Sequence, residues 1–273
     1  MMNRKKKRFP RARILLILYF AFTLIPIYWM LNTSFKPNME IVTQLTFVPR
    51  DFYPYHYVFV LTTWHWVRSF LMTFSYVFLN IAMVLPVAVP AAYAFSRWRF
   101  KGSNHLFFWL LTNRMAPGAI FLVPMSAFFA TIHLFDSPVA VALAHCLFNL
   151  PLAIWILHGF MVGIPRQIDE TAFIDGYSYF RFFRKIFLPL IGQGIGVAAF
   201  FVFLFSWVEL LLARTVTSVW TKPIGVTLTR TVGAEGVDWG VIATVGVLTM
   251  IPGAVLVYFI RNYMTKGFSM GRV

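Results

Sequence analysis

The segment 169–190, DETAFIDGYSYFRFFRKIFLPL, interrupts a chain that is otherwise mostly apolar. Asp169 and Glu170 favour the first turn of a short helix over 168–174, because acidic side chains are stabilised near a helix N-terminus. The pair Asp175-Gly176 is a turn signal, and Ser178 can cap a second helix. We therefore predict two short helices joined by a tight turn.

The second of these helices is predicted to be amphipathic. One face is apolar and the opposite face is basic; the two sets are Phe180, Phe183, Ile186 and Phe187, and Arg181, Arg184 and Lys185. A helix of this kind either lies on anionic lipid headgroups or docks against a protein partner. The pattern alone leaves both interpretations open.

The composition of the whole chain argues against a soluble globule. Of its 273 residues, 59% are hydrophobic and 12% are charged, whereas soluble domains carry about 25% charged residues. A single core could not bury this much apolar surface. The net charge of +15 comes from basic residues that flank apolar stretches, so no nucleic-acid partner is expected. We expect an all-α, polytopic membrane protein.

Six segments are apolar over the length that a membrane-spanning helix needs, about 20 residues. They are 14–32, 70–95, 105–132, 138–160, 190–213 and 241–263. Several are predicted to be broken by proline, at Pro26, Pro86, Pro90, Pro117, Pro124 and Pro252. Such breaks are tolerated in lipid where neighbouring helices or a cavity satisfy the freed backbone groups. A bundle that encloses a pathway and a set of ordinary kinked helices would both account for them.

The distribution of lysine and arginine predicts the orientation. The two tails and the second and fourth connections carry seventeen of these residues, and the other connections carry six. By the positive-inside rule, both termini and the segment 169–190 lie in the cytoplasm. The first span could belong to a signal peptide, but no small-residue cleavage site follows it, which favours an uncleaved anchor. We expect one transmembrane domain over 1–273, with a basic cytoplasmic tail 1–13, a cytoplasmic loop 165–189 and a cytoplasmic tail 264–273.

The residues of the loop resemble the loop signature of ABC importer permeases. That signature runs Glu-Ala-Ala, Asp-Gly-Ala, a spaced Phe and Ile, then Leu-Pro, and the matching positions are Glu170-Thr171-Ala172, Asp175-Gly176, Phe183, Ile186 and Leu188-Pro189. The spacing is the same throughout. Thr171 and Tyr177 stand where alanine is usual, and Gln193 stands where a second proline is common. These departures affect packing in a partner's groove, whereas the anchor positions are kept.

Further motifs are similar to the carbohydrate-uptake subgroup of the maltose/glycerol-phosphate type. They are NTSFK at 32–36, AAYAFSR at 91–97, FKG at 100–102, Arg114-Met115 followed by Pro117 and a later Pro124, Trp207 with Glu209, and GFSMG at 267–271. Val208 replaces the asparagine that the subgroup has between Trp207 and the acid. The resemblance to the second permease subunit of such an importer extends over nearly the whole chain.

The resemblance implies a type I ABC importer permease with six transmembrane helices, in a bacterial or archaeal inner membrane. Its implied partners are a second homologous permease, two ATPase subunits, an extracytoplasmic solute-binding protein and a sugar, polyol or glycerol-type substrate. It implies no catalytic residue, metal or bound cofactor in this chain, because ATP and Mg²⁺ are used by the ATPases. The sequence itself has no phosphate-cradling P-loop. Coupling to the ATPase is implied at Glu170, Thr171, Ala172, Asp175, Gly176 and Tyr177.

Polar and aromatic residues inside the predicted spans are candidates for the substrate pathway, because such positions are functional by default in a membrane. They are Asn113, Arg114, His145, Asn149, Trp207 and Glu209. Arg114 could pair with an acid of the partner permease or face an anionic substrate. Trp207 could stack on a sugar or polyol, or pack against a helix.

Two other classes of protein compete with this interpretation. A stand-alone secondary carrier or channel would explain six spans and broken helices, but not the loop signature. A membrane enzyme would need a cluster of acid–base or metal-binding groups, and the sequence shows none. An ABC permease for a non-carbohydrate solute also remains open, because the matched residues are scaffold and coupling elements.

Overall fold

The computed structural model describes residues 10–229, 232–233 and 236–269. In this part of the chain, four helices are long and apolar enough to cross a membrane unaided. They are α1 (Pro10–Ser34), α4 (Trp64–Arg97), α7 (Pro138–Val162) and α14 (Trp239–Ser269). If each of two bent helix pairs is one crossing, the number rises to six, as the sequence predicts. Of the predicted tails 1–13 and 264–273, residues 1–9 and 270–273 lie outside the described part of the chain.

The first bent pair forms the third crossing, and proline chemistry explains its break. It consists of α5 (Ser103–Arg114), a 3₁₀ turn (Gly118–Phe121) and α6 (Leu122–Thr131), and the bend is 91°. Pro117 has an extended backbone with ψ of 121°, lacks an N–H donor and disfavours helix at the residue before it. The predicted break of the span 105–132 at Pro117 is confirmed, since α5 ends at Arg114. The other predicted breaks are wrong, because those prolines lie inside continuous helices: Pro26, Pro86, Pro90, Pro124 and Pro252.

The second bent pair comprises the end of the predicted loop 165–189 and most of the predicted fifth span. Its first arm, Tyr179–Leu190, comprises α9 (Tyr179–Phe182), a π-helical segment (Phe183–Phe187) and α10 (Leu188–Leu190), and its second arm is α11 (Gly192–Val208). The two arms meet at 73°. The predicted span 190–213 is therefore interrupted after Val208, and α12 (Leu211–Thr215) follows as a separate short helix.

Short elements occupy the connections. They are α2 (Asn38–Thr43), α3 (Tyr55–Thr62), α8 (Gln167–Ile174), α13 (Ile224–Leu228) and the two-residue strands β1 (Val232–Gly233) and β2 (Gly236–Val237). The strands pair antiparallel. This ladder was not predicted, but it is too small to alter the helical character of the fold.

The chain divides into two compact units, so the single domain over 1–273 stays a prediction. The first unit comprises Met1–Trp64 and Arg230–Ile251. Within it, the side chain of Asn38 donates to Asp238 at 3.0 Å and accepts from the Gly240 N–H at 3.0 Å. A Cβ atom on Gly240 would lie 2.1 Å from Nε2 of His56. The His56 ring therefore leaves no room for a side chain at position 240, near the start of α14.

The second unit comprises His65–Thr229 and Pro252–Val273 and holds the candidate sites. Its main core cluster is formed by side chains of α4, α7, α8, the Phe183–Phe187 segment and α11, with Tyr93, Leu157, Phe182 and Phe187 among its fully or almost fully buried members. Gly194 of α11 allows a close approach to α7, because a Cβ atom there would lie 2.8 Å from the Phe160 ring. The short helix α8 is packed directly onto this bundle of long helices.

Asp136, between α6 and α7, holds the loop 216–221 in place through a set of hydrogen bonds, which we call the Asp136 clamp. Its carboxylate oxygens accept the backbone N–H groups of Ser218, Val219, Trp220 and Thr221 at 2.8–2.9 Å. Partial burial raises the pKa of Asp136, but these four donors outweigh that effect and hold the pKa below its ordinary value. Asp136 itself adopts a φ of 60°, which aspartate tolerates better than most residues.

We expect Asp136→Asn to lower the free energy of unfolding by about 1–2 kcal/mol at pH 7, because the amide offers one acceptor oxygen where the carboxylate offers two. A depressed folded-state pKa means that the carboxylate stabilises the fold fully above about pH 4, and that this stabilisation is lost as pH falls through the folded pKa. Thermal unfolding from pH 7 to pH 3 measures both effects. The exposed Asp51, changed to Asn, is the control. An equal deficit of Asp136→Asn at both ends of the pH range would contradict the clamp.

Candidate functional site

The Asp175-Gly176 turn ends α8 in a specific backbone geometry. Gly176 has a φ of +81°, in the left-handed region that glycine reaches without steric cost. Its N–H donates to the Phe173 carbonyl at 3.1 Å, and the Tyr177 N–H donates to the Ala172 carbonyl at 3.0 Å. This pair of bonds is a Schellman motif. The end of α8 therefore depends on the conformation of a single residue.

Helix α8 has one buried face and one exposed face. Ala172 is buried and packs in the core cluster, with Tyr177 half-buried beside it. Asp169 is also buried, whereas the apolar Ile174 is 85% exposed. The exposed surface carries the other four predicted coupling residues, Glu170, Thr171, Asp175 and Gly176. The six residues thus form one protrusion, which consists of α8 and its terminal turn. Its exposed side faces away from the core, and Ala172 anchors its buried side in the core cluster.

The segment after this turn differs from the predicted amphipathic helix. Ser178 occupies the N-cap position, but its side chain makes no capping hydrogen bond. The helix then passes into the π-helical segment Phe183–Phe187, in which i→i+5 bonds replace the 3.6-residue period. Phe182 and Phe187, five residues apart, are fully buried, whereas Phe180 is 72% exposed. The predicted apolar face is therefore wrong at Phe180, and it omitted Phe182.

A cleft of about 320 Å³ brings together four of the six predicted pathway residues. They are Arg114, His145, Asn149 and Glu209. The remaining wall is mostly apolar and includes Phe148, Phe205, Val208, Leu211 and Leu212. The cleft lies where α5 and α11 end and α12 begins. The helix breaks thus place polar side chains around one cavity.

Arg114 projects from the C-terminal end of α5. Its Nη1 donates to the Phe148 carbonyl at 3.1 Å, and its guanidinium carbon lies 4.2 Å from the centre of the Phe205 ring. Among the described residues, no carboxylate lies within ion-pair distance of Arg114. A carbonyl and an aromatic face hold the guanidinium in place without neutralising it, so other donors can serve a further group.

Glu209 is held from several sides. Its carboxylate accepts the N–H groups of Leu211, Leu212 and Ala213 at 2.9–3.3 Å, which caps the start of α12. It also lies 3.1 Å from Nε2 of His145. Because a carboxylate accepts, Nε2 is the donor in this contact. That buried Nδ1 has no partner among the described residues.

Asn149 belongs to a buried network that sequence analysis missed. Its amide nitrogen donates to Oδ1 of Asn80 and to Oγ of Ser206, both at 2.9 Å. Ser206 donates to Asn80 at 2.8 Å, and Asn80 donates to the Ala142 carbonyl at 2.7 Å. The three polar side chains come from α4, α7 and α11 and are at most 2% exposed. Polar residues within apolar spans are the signal that would have identified Asn80 and Ser206.

The other two predicted pathway residues do not line the cleft. Asn113 donates through its amide to the Leu147 carbonyl at 3.2 Å. The Trp207 ring stacks on Phe203, with centroids 5.4 Å apart, and lies 4.9 Å from Phe74. These contacts agree with the packing alternative for Trp207.

The fold, the exposed loop and the cleft define a multi-pass membrane protein of the permease class. No family model matches the chain. The diacetylchitobiose uptake system permease protein DasC of Streptomyces coelicolor is 26% identical, over 94% of this chain and 94% of that protein. The osmoprotective compounds uptake permease protein GgtD of Synechocystis is 30% identical, over 70% of this chain and 66% of that protein.

Solved structures support the same class through the fold. A subunit of a bacterial ABC transporter involved in import of the acidic polysaccharide alginate superposes with a TM-score of 0.79, at 20% identity, over 96% of this chain and 98% of that chain. Over most of its length the chain is similar to permease subunits of sugar-uptake ABC transporters. This similarity agrees with the class of protein that the loop signature predicted.

Proposed function

We propose that this chain forms half of the translocation pathway for a sugar, polyol or glycerol-type solute and moves it by alternating access. A second homologous permease supplies the other half, and two ATPase subunits use ATP and Mg²⁺. An extracytoplasmic binding protein delivers the solute. The chain itself carries no catalytic residue and binds no cofactor or metal. It lies in a bacterial or archaeal inner membrane with both termini in the cytoplasm.

The observation that carries this proposal is the protrusion formed by α8 and its terminal turn. Its outer surface combines the carboxylates of Glu170 and Asp175 with the exposed Ile174, whereas Ala172 anchors its inner side in the core. A short helix packed on long spans, with an apolar side chain presented to the outside, suits insertion into a cleft of another protein. In this proposal α8 receives the motion of the ATPase, and Thr171 and Tyr177 adjust the fit.

Reconstitution of the complex tests the proposal. A tagged form of this chain should co-purify with a second permease and an ATPase, and proteoliposomes should import solute only with ATP and the binding protein. Calorimetric screening of the binding protein against sugars and polyols supplies the solute to be used. Import without an ATPase would indicate a stand-alone carrier instead, and a binding protein that takes only non-carbohydrate solutes would overturn the substrate class.

The cleft at Arg114, His145, Asn149 and Glu209 is the proposed pathway surface of this subunit. It offers guanidinium donors, an unpartnered imidazole nitrogen and a partly exposed carboxylate within apolar walls. Such a mixture suits a small hydroxylated molecule, which needs both donors and acceptors. Asn113 and Trp207 support this wall through their packing on neighbouring helices.

We expect Arg114→Gln to raise the KM for uptake about tenfold or more, because one hydrogen bond from a charged donor is worth about 1.5–3 kcal/mol. Transport assays over a range of solute-loaded binding-protein concentrations measure this change. The exposed Arg99, changed to Gln, is the control. An unchanged KM together with loss of the second permease during purification would instead favour an ion pair between Arg114 and that subunit.

A further inference from the structure

A buried ion pair connects α8 to the end of α4. Nε of Arg97 lies 2.7 Å from Oδ2 of Asp169, and Nη2 lies 3.4 Å from Oδ1. The two side chains are 5% and 10% exposed. The residues are 72 positions apart in the chain, and Asp169 directly precedes the coupling residue Glu170. The pair therefore bridges a long spanning helix and the proposed coupling helix.

The same guanidinium also holds the end of α7. Nη1 of Arg97 donates to the carbonyls of Met161 at 3.2 Å and Ile164 at 3.1 Å. These carbonyls lie at the C-terminus of α7, where helix carbonyls lack partners within the helix. One side chain at the end of α4 thus binds the last turn of α7, the carbonyl of Ile164 just after it and the carboxylate of Asp169 in α8.

Aromatic side chains enclose the pair. The hydroxyl of Tyr93 donates to Oδ2 of Asp169 at 3.1 Å. The guanidinium carbon of Arg97 lies 5.9 Å from the Tyr93 ring centre and 5.5 Å from the ring centre of Phe187. The ring of Phe187, which is fully buried, belongs to the π-helical segment that leads into the fifth crossing. Arg97 is therefore surrounded by side chains from elements before and after α8, namely Tyr93 of α4 and Phe187 of the π-helical segment.

A contact of this kind does more than hold helices together. Well-packed apolar side chains often stabilise a fold as well as a buried ion pair does, because ions lose their hydration on burial. A bidentate ion pair with additional carbonyl bonds does, however, fix distance and direction. Apolar packing around Ala172 would permit sliding of α8, whereas this set of bonds requires α8, α4 and α7 to move together.

We propose that Arg97 and Asp169 are positioning residues for coupling, which form the joint through which a displacement of α8 reaches the spanning helices α4 and α7. This inference rests on the proposed function, since it requires an ATPase that moves α8. The joint acts through α8 and touches neither nucleotide nor solute. Its loss should therefore leave an assembled complex whose ATP hydrolysis no longer responds to the loaded binding protein.

The test uses the full complex, reconstituted in proteoliposomes and normalised to assembled complex. Asp169→Asn removes one charge and should reduce the stimulation of ATP hydrolysis by loaded binding protein about tenfold, within the usual range of coupling between sites. Arg97→Lys keeps the charge but cannot make the bidentate and carbonyl bonds together, and should reduce stimulation about fivefold. Exposed Arg99→Lys is the matched control and should keep full stimulation.

The outcomes separate the joint from a purely structural contact. Stimulation per assembled complex within twofold of the wild type in both variants overturns the inference, even if their yield falls. Failure of both variants to assemble also overturns it, because the pair would then be a requirement for folding. The proposed function fails in a different way, through a wild-type complex that contains no ATPase or shows no import.

Discussion

We expect the Gly176→Pro variant to insert into the membrane but to lose solute uptake. The φ of Gly176 is +81°, whereas proline is restricted to about −65°. Proline also lacks the N–H that Gly176 donates to the Phe173 carbonyl. The Schellman end of α8 cannot form, so Glu170 and Asp175 lose their fixed relation to the core. Import into proteoliposomes and the membrane content of the subunit are the two measurements.

A matched pair of glycine variants tests whether the backbone conformation at Gly176 is the cause of the expected loss of uptake. A Cβ atom at Gly176 or at Gly196 would meet no described atom within 4 Å, but a positive φ occurs at Gly176 and not at Gly196. Gly176→Ala should therefore reduce coupling, at a conformational cost of about 1–2 kcal/mol. Gly196→Ala, within α11, should be neutral or slightly stabilising. Equal effects of the two alanine variants would refute the role given to the turn.

The second large effect is expected at Asn80, whose replacement by alanine should lower the free energy of unfolding by about 2–3 kcal/mol. The change leaves Ser206, Asn149 and the Ala142 carbonyl without bonds that they have in the native protein, and each buried polar group that loses its partner is costly. Thermal unfolding in detergent measures the loss as a fall in Tm of several degrees.

Two further variants test the network itself. Ser75, on the same helix, donates to the Leu71 carbonyl at an exposed position, so Ser75→Ala should change little. The triple variant Asn80→Leu, Asn149→Leu, Ser206→Ala removes all three polar side chains and should recover part of the loss, because no member of the network is then left unpaired. A triple variant as unstable as the sum of its parts would show that packing, and not hydrogen bonding, accounts for the effect of Asn80.

The sequence alone was sufficient where the determining interactions are local. Runs of apolar residues predict the six crossings, because a bilayer requires a helix of known length and polarity. The Asp175-Gly176 dipeptide predicts the turn after α8, since glycine is the residue that takes a positive φ at no cost. The spacing of Glu170, Ala172 and Gly176 predicts the protein class. Arg114 and His145 are recognisable as candidates because charge and polarity are rare inside apolar spans.

Tertiary structure decided which of these residues meet. The break after Arg114 has a local cause in Pro117, whereas the π-helical segment at Phe183–Phe187 and the end of α11 at Val208 were not predicted from the sequence. Pro117 breaks its crossing, whereas Pro86, Pro90 and Pro151 lie inside continuous helices. Periodicity therefore could not distinguish them, because the cost of a proline depends on what surrounds the freed carbonyl.

Tertiary structure also decided which residues are brought together in each site. Arg97 and Asp169 are 72 residues apart, and Asn80 and Ser206 are 126 apart. Each residue on its own is an ordinary charge, amide or hydroxyl near or within an apolar span. The sequence determined the crossings, the turn and the class of this permease through local propensity and hydropathy. The packing of helices distant in sequence determined the cleft, the buried network and the joint at Arg97, because a buried polar group must find whichever partner the fold brings within hydrogen-bond distance.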